Sequence, residues 1–136
     1  MRLFHSRRAL QIAILAAICV PIGAGGAGVL LGPGFVGDWT ATASQDSHFR
    51  YLSGLLVGIG LCFAATIPRV EAHAATFRLL TTIVFIGGLA RLLSLAALGA
   101  PSGAMLFGLA MELVVTPALC LWQNAHARRA ERLARP

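Results

Sequence analysis

Residues 79–122 read LLTTIVFIGGLARLLSLAALGAPSGAMLFGLAMELVVTPALCLW. Two apolar runs, 79–98 and 102–122, are joined by little more than Gly99, Ala100, Pro101 and Ser102. Each run is close to the ~20 residues an α-helix needs to cross a hydrocarbon core about 30 Å thick. So short a link folds the runs back on each other as an antiparallel helical hairpin. Arg91 is the charge in the first run and Glu112 the charge in the second. A charged side chain near the centre of a membrane helix costs about 2.5–3.5 kcal/mol even on the mildest insertion scales. Two residues of opposite sign on adjoining helices therefore read as a pair.

The hairpin sets their heights. Counted from Ala100, Arg91 lies about nine residues back and Glu112 about twelve forward, which at 1.5 Å per residue leaves about 4–5 Å between them. An arginine side chain spans that, and its contact with a carboxylate can be bidentate. One reading is a structural clip that fixes the rotation of two helices. The other is a carboxyl that binds substrate or proton, tuned by Arg91.

Working outward, the chain has 136 residues, of which 57% are hydrophobic and 12% charged, and its mean hydropathy is +0.79. A soluble domain carries about 25% charged residues, so these few charges cannot cover a water-facing surface. Two further apolar stretches bring the total to four, at about 9–32, 49–67, 77–98 and 102–123. Pro68 closes the second, since proline cannot continue the helical ladder. Lipid offers no partner for backbone polar groups, so helices are expected. The fold class is all-α: an integral membrane four-helix bundle, one transmembrane domain over 1–136, with a basic tail at 124–136 that prolongs the fourth helix.

Orientation follows from the arginines. The net charge is +6 and no residue is Lys. Arg2, Arg7 and Arg8 precede the first span, Arg69 and Arg78 bracket the second connection, and Arg128, Arg129, Arg132 and Arg135 follow the fourth span. Arg50 lies on the other side with Asp38 and Asp46. The positive-inside bias places both termini in the cytoplasm, and Trp39, Tyr51 and Trp122 fall at interface depth. Positive charge at the ends of apolar runs speaks for the bilayer rather than nucleic acid as partner. Anionic lipid would hold each arginine of the tail with about 1 kcal/mol. Met1 to Gly32 also has the layout of a signal peptide, but its apolar run exceeds the about 7–15 residues of a cleaved segment, so it is read as a retained span.

Small residues mark helix contacts. Gly54 and Gly58 form a G-x-x-x-G on a face that also holds Arg50 and Cys62, a tight-packing surface in membranes; internal packing is the favoured reading and a second copy the alternative. In the third span Thr81, Val84, Gly88, Arg91 and Ser94 share one face, with Gly87 beside it. In the fourth, Gly108, Glu112 and Thr116 share a face. Pro117 leaves the carbonyl of Leu113 without its helical partner, which predicts a kink, and Thr116 can help satisfy the local backbone. Gly23 to Gly28 matches G-x-G-x-x-G, but inside an apolar run it lacks the strand–turn–helix setting that dinucleotide binding needs. Arg50, with Asp46 and His48, is either an interfacial arginine held by Asp46 or lipid phosphate, or the outer rim of a pocket reaching to Arg91 and Glu112.

Several chemistries are not indicated. His5, His48, His73 and His126 are read in tails or loops, so none is placed to ligate haem between helices. Cys19, Cys62 and Cys120 form no C-x-x-C. No H-E-x-x-H, phosphate loop or G-x-S-x-G occurs. No catalytic residue, metal ligand or cofactor is assigned.

The ordered set His48-Phe49-Arg50-Tyr51-Leu52-Ser53-Gly54, Phe85 through Ser94, Gly99-Ala100-Pro101 and Glu112-Leu113-Val114 resembles a group of small bacterial membrane proteins, the domain of unknown function 4345 family. The likeness runs from Gly32 through Gln123. It implies a four-helix membrane protein whose recurring polar residues correspond to Arg50, Arg91 and Glu112, and it brings no activity with it; the chain itself is read as a multi-pass protein of the bacterial inner membrane. Fold-level likeness to other small four-helix membrane proteins, of the DoxX or sterol-scaffold kind, is analogy only.

Three functions fit. The first is a noncatalytic scaffold, assembly partner or lipid-binding protein. The second is a small proton-coupled carrier working through Glu112, which four modest spans would accommodate best as a homo-oligomer. The third is an enzyme on a lipophilic substrate, with Glu112 as acid–base. The small-molecule ligand is not legible.

Overall fold

The computed structural model describes residues 6–37 and 40–133. Arg2, His5, Asp38, Trp39 and Arg135, which entered the reading of orientation, interface and histidines, lie outside the described residues. The described residues form helices and connecting turns, with no strand. Helix α1 spans Arg7–Leu31 and runs into a 3-10 turn at Gly32–Val36; α2 spans Ala43–Thr66; α3 spans Ala74–Leu98. Helix α4 is continuous over Gly103–Leu133. Four helices are long and apolar enough to cross a membrane, which is compatible with a membrane bundle.

Local chemistry explains where they begin and end. The Ser6 hydroxyl accepts the Ala9 N–H at the start of α1. At α2, Thr42 N–H donates to Gln45 Oε1 at 2.9 Å while Gln45 N–H donates to Thr42 Oγ1 at 3.3 Å, a reciprocal capping box. That box starts α2 six residues earlier than hydropathy alone suggests, because polar residues extend the helix beyond its apolar part. Asp46 in the first turn suits the positive end of the helix dipole. Helix α3 stops at Gly99, whose φ of +89° is open to glycine, and whose N–H donates to Leu95 O. The chain turns through 99–102 and re-enters helix with Met105 and Leu106 N–H on the carbonyl of Ser102. The tail continues α4 as far as Leu133.

The chain divides into two compact units. One combines residues up to Ala17 with those from Thr66 onward, and the other is Ile18–Ala65. In the first, Leu10, Ile14, Val70, Phe77, Leu80, Cys120 and Ala127 are buried. Along α3 the buried and half-buried positions Phe77, Thr81, Val84, Gly88, Arg91 and Leu95 fall at helical spacing, while Leu79, Ile83, Ile86 and Leu93 are exposed. The polar and small stripe thus turns toward protein, ending on Leu95 rather than Ser94. Such large apolar side chains on the outside suit lipid better than water.

In the second unit α1 and α2 meet on small residues. A Cβ on Gly25 would stand 2.8 Å from Val57 Cγ2, one on Gly28 2.9 Å from Ser53 Cβ, and one on Gly60 2.7 Å from Ile22 Cγ1. The absence of a side chain at these three positions is what allows the approach. Gly54 and Gly58 meet nothing within 4 Å. The close packing expected at their G-x-x-x-G therefore sits on Gly25, Gly28 and Gly60.

Candidate functional site

Arg91 and Glu112 meet across the α3–α4 hairpin. Arg91 Nε donates to Glu112 Oε2 at 3.0 Å and Nη2 donates to Oε1 at 3.1 Å, the parallel two-bond geometry that a planar guanidinium offers a carboxylate. Nη1 donates to the thioether of Met105 at 2.9 Å. The side chains keep 35% and 16% of their surface exposed, respectively, so the carboxylate is the better covered partner.

Gly87, Gly88 and Gly108 are read from the sequence as helix-packing positions. Gly88, three residues before Arg91 on the same face, lies against α4: a Cβ there would stand 2.6 Å from Leu113 Cδ2 and 3.0 Å from Glu112 Cβ. On α4, Met105, Gly108 and Glu112 follow one another at three- and four-residue spacing on one face, and the Arg91 guanidinium carbon lies 4.0 Å from a Cβ placed on Gly108. Gly87 meets nothing within 4 Å.

Glu112 belongs to a π-helical turn, Met111–Val115, inside α4. Its cause is two residues on. Pro117 has no N–H to donate. Thr116 then donates twice to the carbonyl of Met111, five residues back: through its backbone N–H and through Oγ1 at 2.8 Å. The sequence points to Thr116 as a helper at the proline, but the oxygen it serves is that of Met111, not Leu113. π-bulges of this kind recur at functional positions.

Arg50 sits in the other unit. Its Nε donates to Asp46 Oδ2 at 2.8 Å, one helical turn away, and its Nη1 donates to the carbonyls of Val29 and Leu30. These belong to the last turn of α1, whose carbonyls have no helical partner. A cation there also meets the negative end of the dipole. Gly32 follows with φ +68°, and a Cβ on it would stand 2.6 Å from Arg50 Nη2. Arg50 thus caps α1 as well as pairing with Asp46. His48 is exposed on α2.

The model of a domain of unknown function, DUF4345, matches residues 9–123. The chain belongs to the DUF4345 family. No curated protein and no solved structure matches it. The DUF4345 match spans both the Arg50 cap and the Arg91–Glu112 pair.

This DUF4345 chain holds a further polar cluster that hydropathy and spacing do not mark. The end of α2 and the turn after it expose carbonyls that Pro68 and the chain reversal leave without helical partners. Arg7 donates to Pro68 O and pairs with Glu71 at 3.3 Å. Gln11 Nε2 donates to Ile67 O at 2.8 Å, and Gln123 Nε2 to Val70 O at 2.7 Å. Gln123 is fully buried, and its Oε1 has no partner. The one available signal was an amide inside an apolar helix, which costs free energy unless bonded. The placement of His48 in a loop is corrected, since it lies within α2; His126, in the tail that prolongs α4, is buried beside Trp122, with ring centroids 6.5 Å apart. Among the described residues no three His, Cys, Asp or Glu side chains converge as a metal site.

Proposed function

We propose that this chain is a multi-pass inner-membrane protein with both termini cytoplasmic, acting without catalysis as a scaffold, assembly partner or lipid-binding protein. In this reading the Arg91–Glu112 pair is an internal clip. The observation that carries it is the closed fork: both carboxylate oxygens face Nε and Nη2 of one guanidinium, and Gly88 brings the two helices together beside it. A pair neutralised inside the protein holds helix rotation and presents no net charge to the surroundings. The arginines support the orientation. Arg128 and Arg132, exposed one turn apart near the end of α4, would meet anionic headgroups of the inner leaflet.

The test exchanges the charges. The doubly reversed variant, Arg91→Glu with Glu112→Arg, should fold, resist heat and sustain growth as the unchanged protein does, because the fork closes either way round. Loss of function in a folded double variant would show that the orientation of the charges matters, and the clip reading would fall.

A proton-coupled carrier is the second reading, favoured by the position of Glu112 in the π-helical turn. It requires that Glu112→Gln fold normally and abolish proton movement in proteoliposomes loaded with a pH-sensitive dye. Equal proton movement with both proteins would discard it.

A further inference from the structure

Arginine carries five N–H donors and no acceptor. At Arg91 Glu112 takes two of them, and the third meets Met105 Sδ, a weak acceptor. One N–H on each terminal nitrogen has no acceptor among the described residues, and 35% of the side chain is open to the outside. In water such donors are solvated. In hydrocarbon an unmet polar group is strongly unfavourable, so within a bilayer this guanidinium calls for further acceptors.

The kind of acceptor follows from charge. Glu112 already balances Arg91, so a phosphate or carboxylate brought to the same place would add an uncompensated charge, which is strongly unfavourable away from water. A neutral oxygen with free lone pairs meets the need without that penalty. Gly108 adds no side chain beside the Arg91 head: a Cβ placed on it would stand 4.0 Å from the guanidinium carbon. The depth fits too. Arg91 lies seven residues before Leu98, the end of α3, or about 10 Å along the axis. Helix α3 has 25 residues and so is about 37 Å long, against a hydrocarbon core of about 30 Å. That places Arg91 several ångströms inside the core edge, within reach of the level where acyl chains join their headgroups.

We propose that the remaining N–H groups of Arg91 bind the neutral carbonyl oxygen of a membrane-soluble molecule, either the ester carbonyl of a phospholipid or the ring carbonyl of a quinone. This deepens the lipid-binding reading above and rests on α3 and α4 crossing the bilayer.

The test compares lipids that differ in the carbonyl alone. Diester and diether phosphatidylcholine of equal chain length are supplied as a mixture to the full-length protein in mild detergent, and the bound lipid is read by native mass spectrometry. A hydrogen bond to a charged group predicts that the diester form is retained about tenfold over the diether form. The preference should vanish in Arg91→Met with Glu112→Met, which removes both charges. It should also vanish in Gly108→Leu, which keeps the pair and covers the guanidinium, so the test survives if either variant fails to fold. If decylubiquinone instead binds the unchanged protein and not these variants, the carbonyl is that of a quinone. Equal retention of diester and diether lipid without quinone binding overturns the inference, as does a preference that persists in the folded variants. Either result leaves the charge-reversal test of the clip untouched.

Discussion

Gly88 and Glu112 touch without a side chain between them: a Cβ on Gly88 would lie 3.0 Å from Glu112 Cβ. The ion pair therefore depends on a position that carries no charge. Arg91 follows Gly88 by three positions, so the helix face that brings α4 close also presents the guanidinium to the carboxylate.

This relationship predicts different outcomes at two neighbouring glycines. Gly88→Val should destabilise the protein by about 1–3 kcal/mol, the usual range for overpacking, because Leu113 and Glu112 both have to move. Gly87→Ala meets open space and should be neutral or slightly stabilising, since alanine restricts the unfolded chain. Thermal unfolding of the two variants in detergent measures the difference; equal effects would contradict the α3–α4 contact.

At the pair itself, single and double substitutions should not add. Removing one partner of a buried ion pair costs about 3–5 kcal/mol, and the partial exposure of Arg91 places Arg91→Met and Glu112→Met at about 2–3 kcal/mol each. The double variant should be less destabilised than either single one, because it leaves no unpaired charge. A double-mutant cycle on unfolding midpoints checks this, and simple additivity would mean the two groups do not interact.

The end of α1 should respond to Arg50. Arg50→Gln removes the guanidinium from the carbonyls of Val29 and Leu30 and from Asp46. Amide exchange across the last turn of α1 should speed up, while exchange in α3 stays as it was. Gly32→Ala should act on the same segment, since a left-handed φ costs a residue with a Cβ about 1–2 kcal/mol. Hydrogen exchange read by mass spectrometry distinguishes this local fraying from global unfolding.

Gln123 offers the sharpest contrast between isosteres. Its amide donates to Val70 O while Oε1 has no partner. Gln123→Glu replaces the donor with a second acceptor facing a carbonyl in a fully buried place, and should lower stability by several kcal/mol at neutral pH. Gln123→Met loses one hydrogen bond and also removes the unmatched oxygen, so the loss should stay near about 1 kcal/mol. A glutamate variant as stable as the methionine one would show that the side chain is wet.

Much of this protein is legible in its sequence because the informative residues are out of place. Arg91 and Glu112 draw attention as charges among apolar neighbours, and the four-residue link between their helices leaves little freedom in relative height. Hydropathy alone is enough to mark four helices and to orient the stripe of α3. Glycine spacing told less. Gly54 and Gly58 form the better known motif, yet Gly25, Gly28 and Gly60 take the contacts, because a small-residue face states only that approach is allowed, not which partner arrives.

The residues alone dictate the helical class, the antiparallel hairpin and the meeting of one cation with one anion, since each follows from local periodicity, a short link and the high free energy of a lone charge away from water. The fold decided that Arg50 caps the last turn of α1 and that Gln11 and Gln123 fasten the carbonyls after α2. Those outcomes depend on which unpaired backbone oxygens come within reach of which donors, and that distance is set by the packing of helices far apart in the chain.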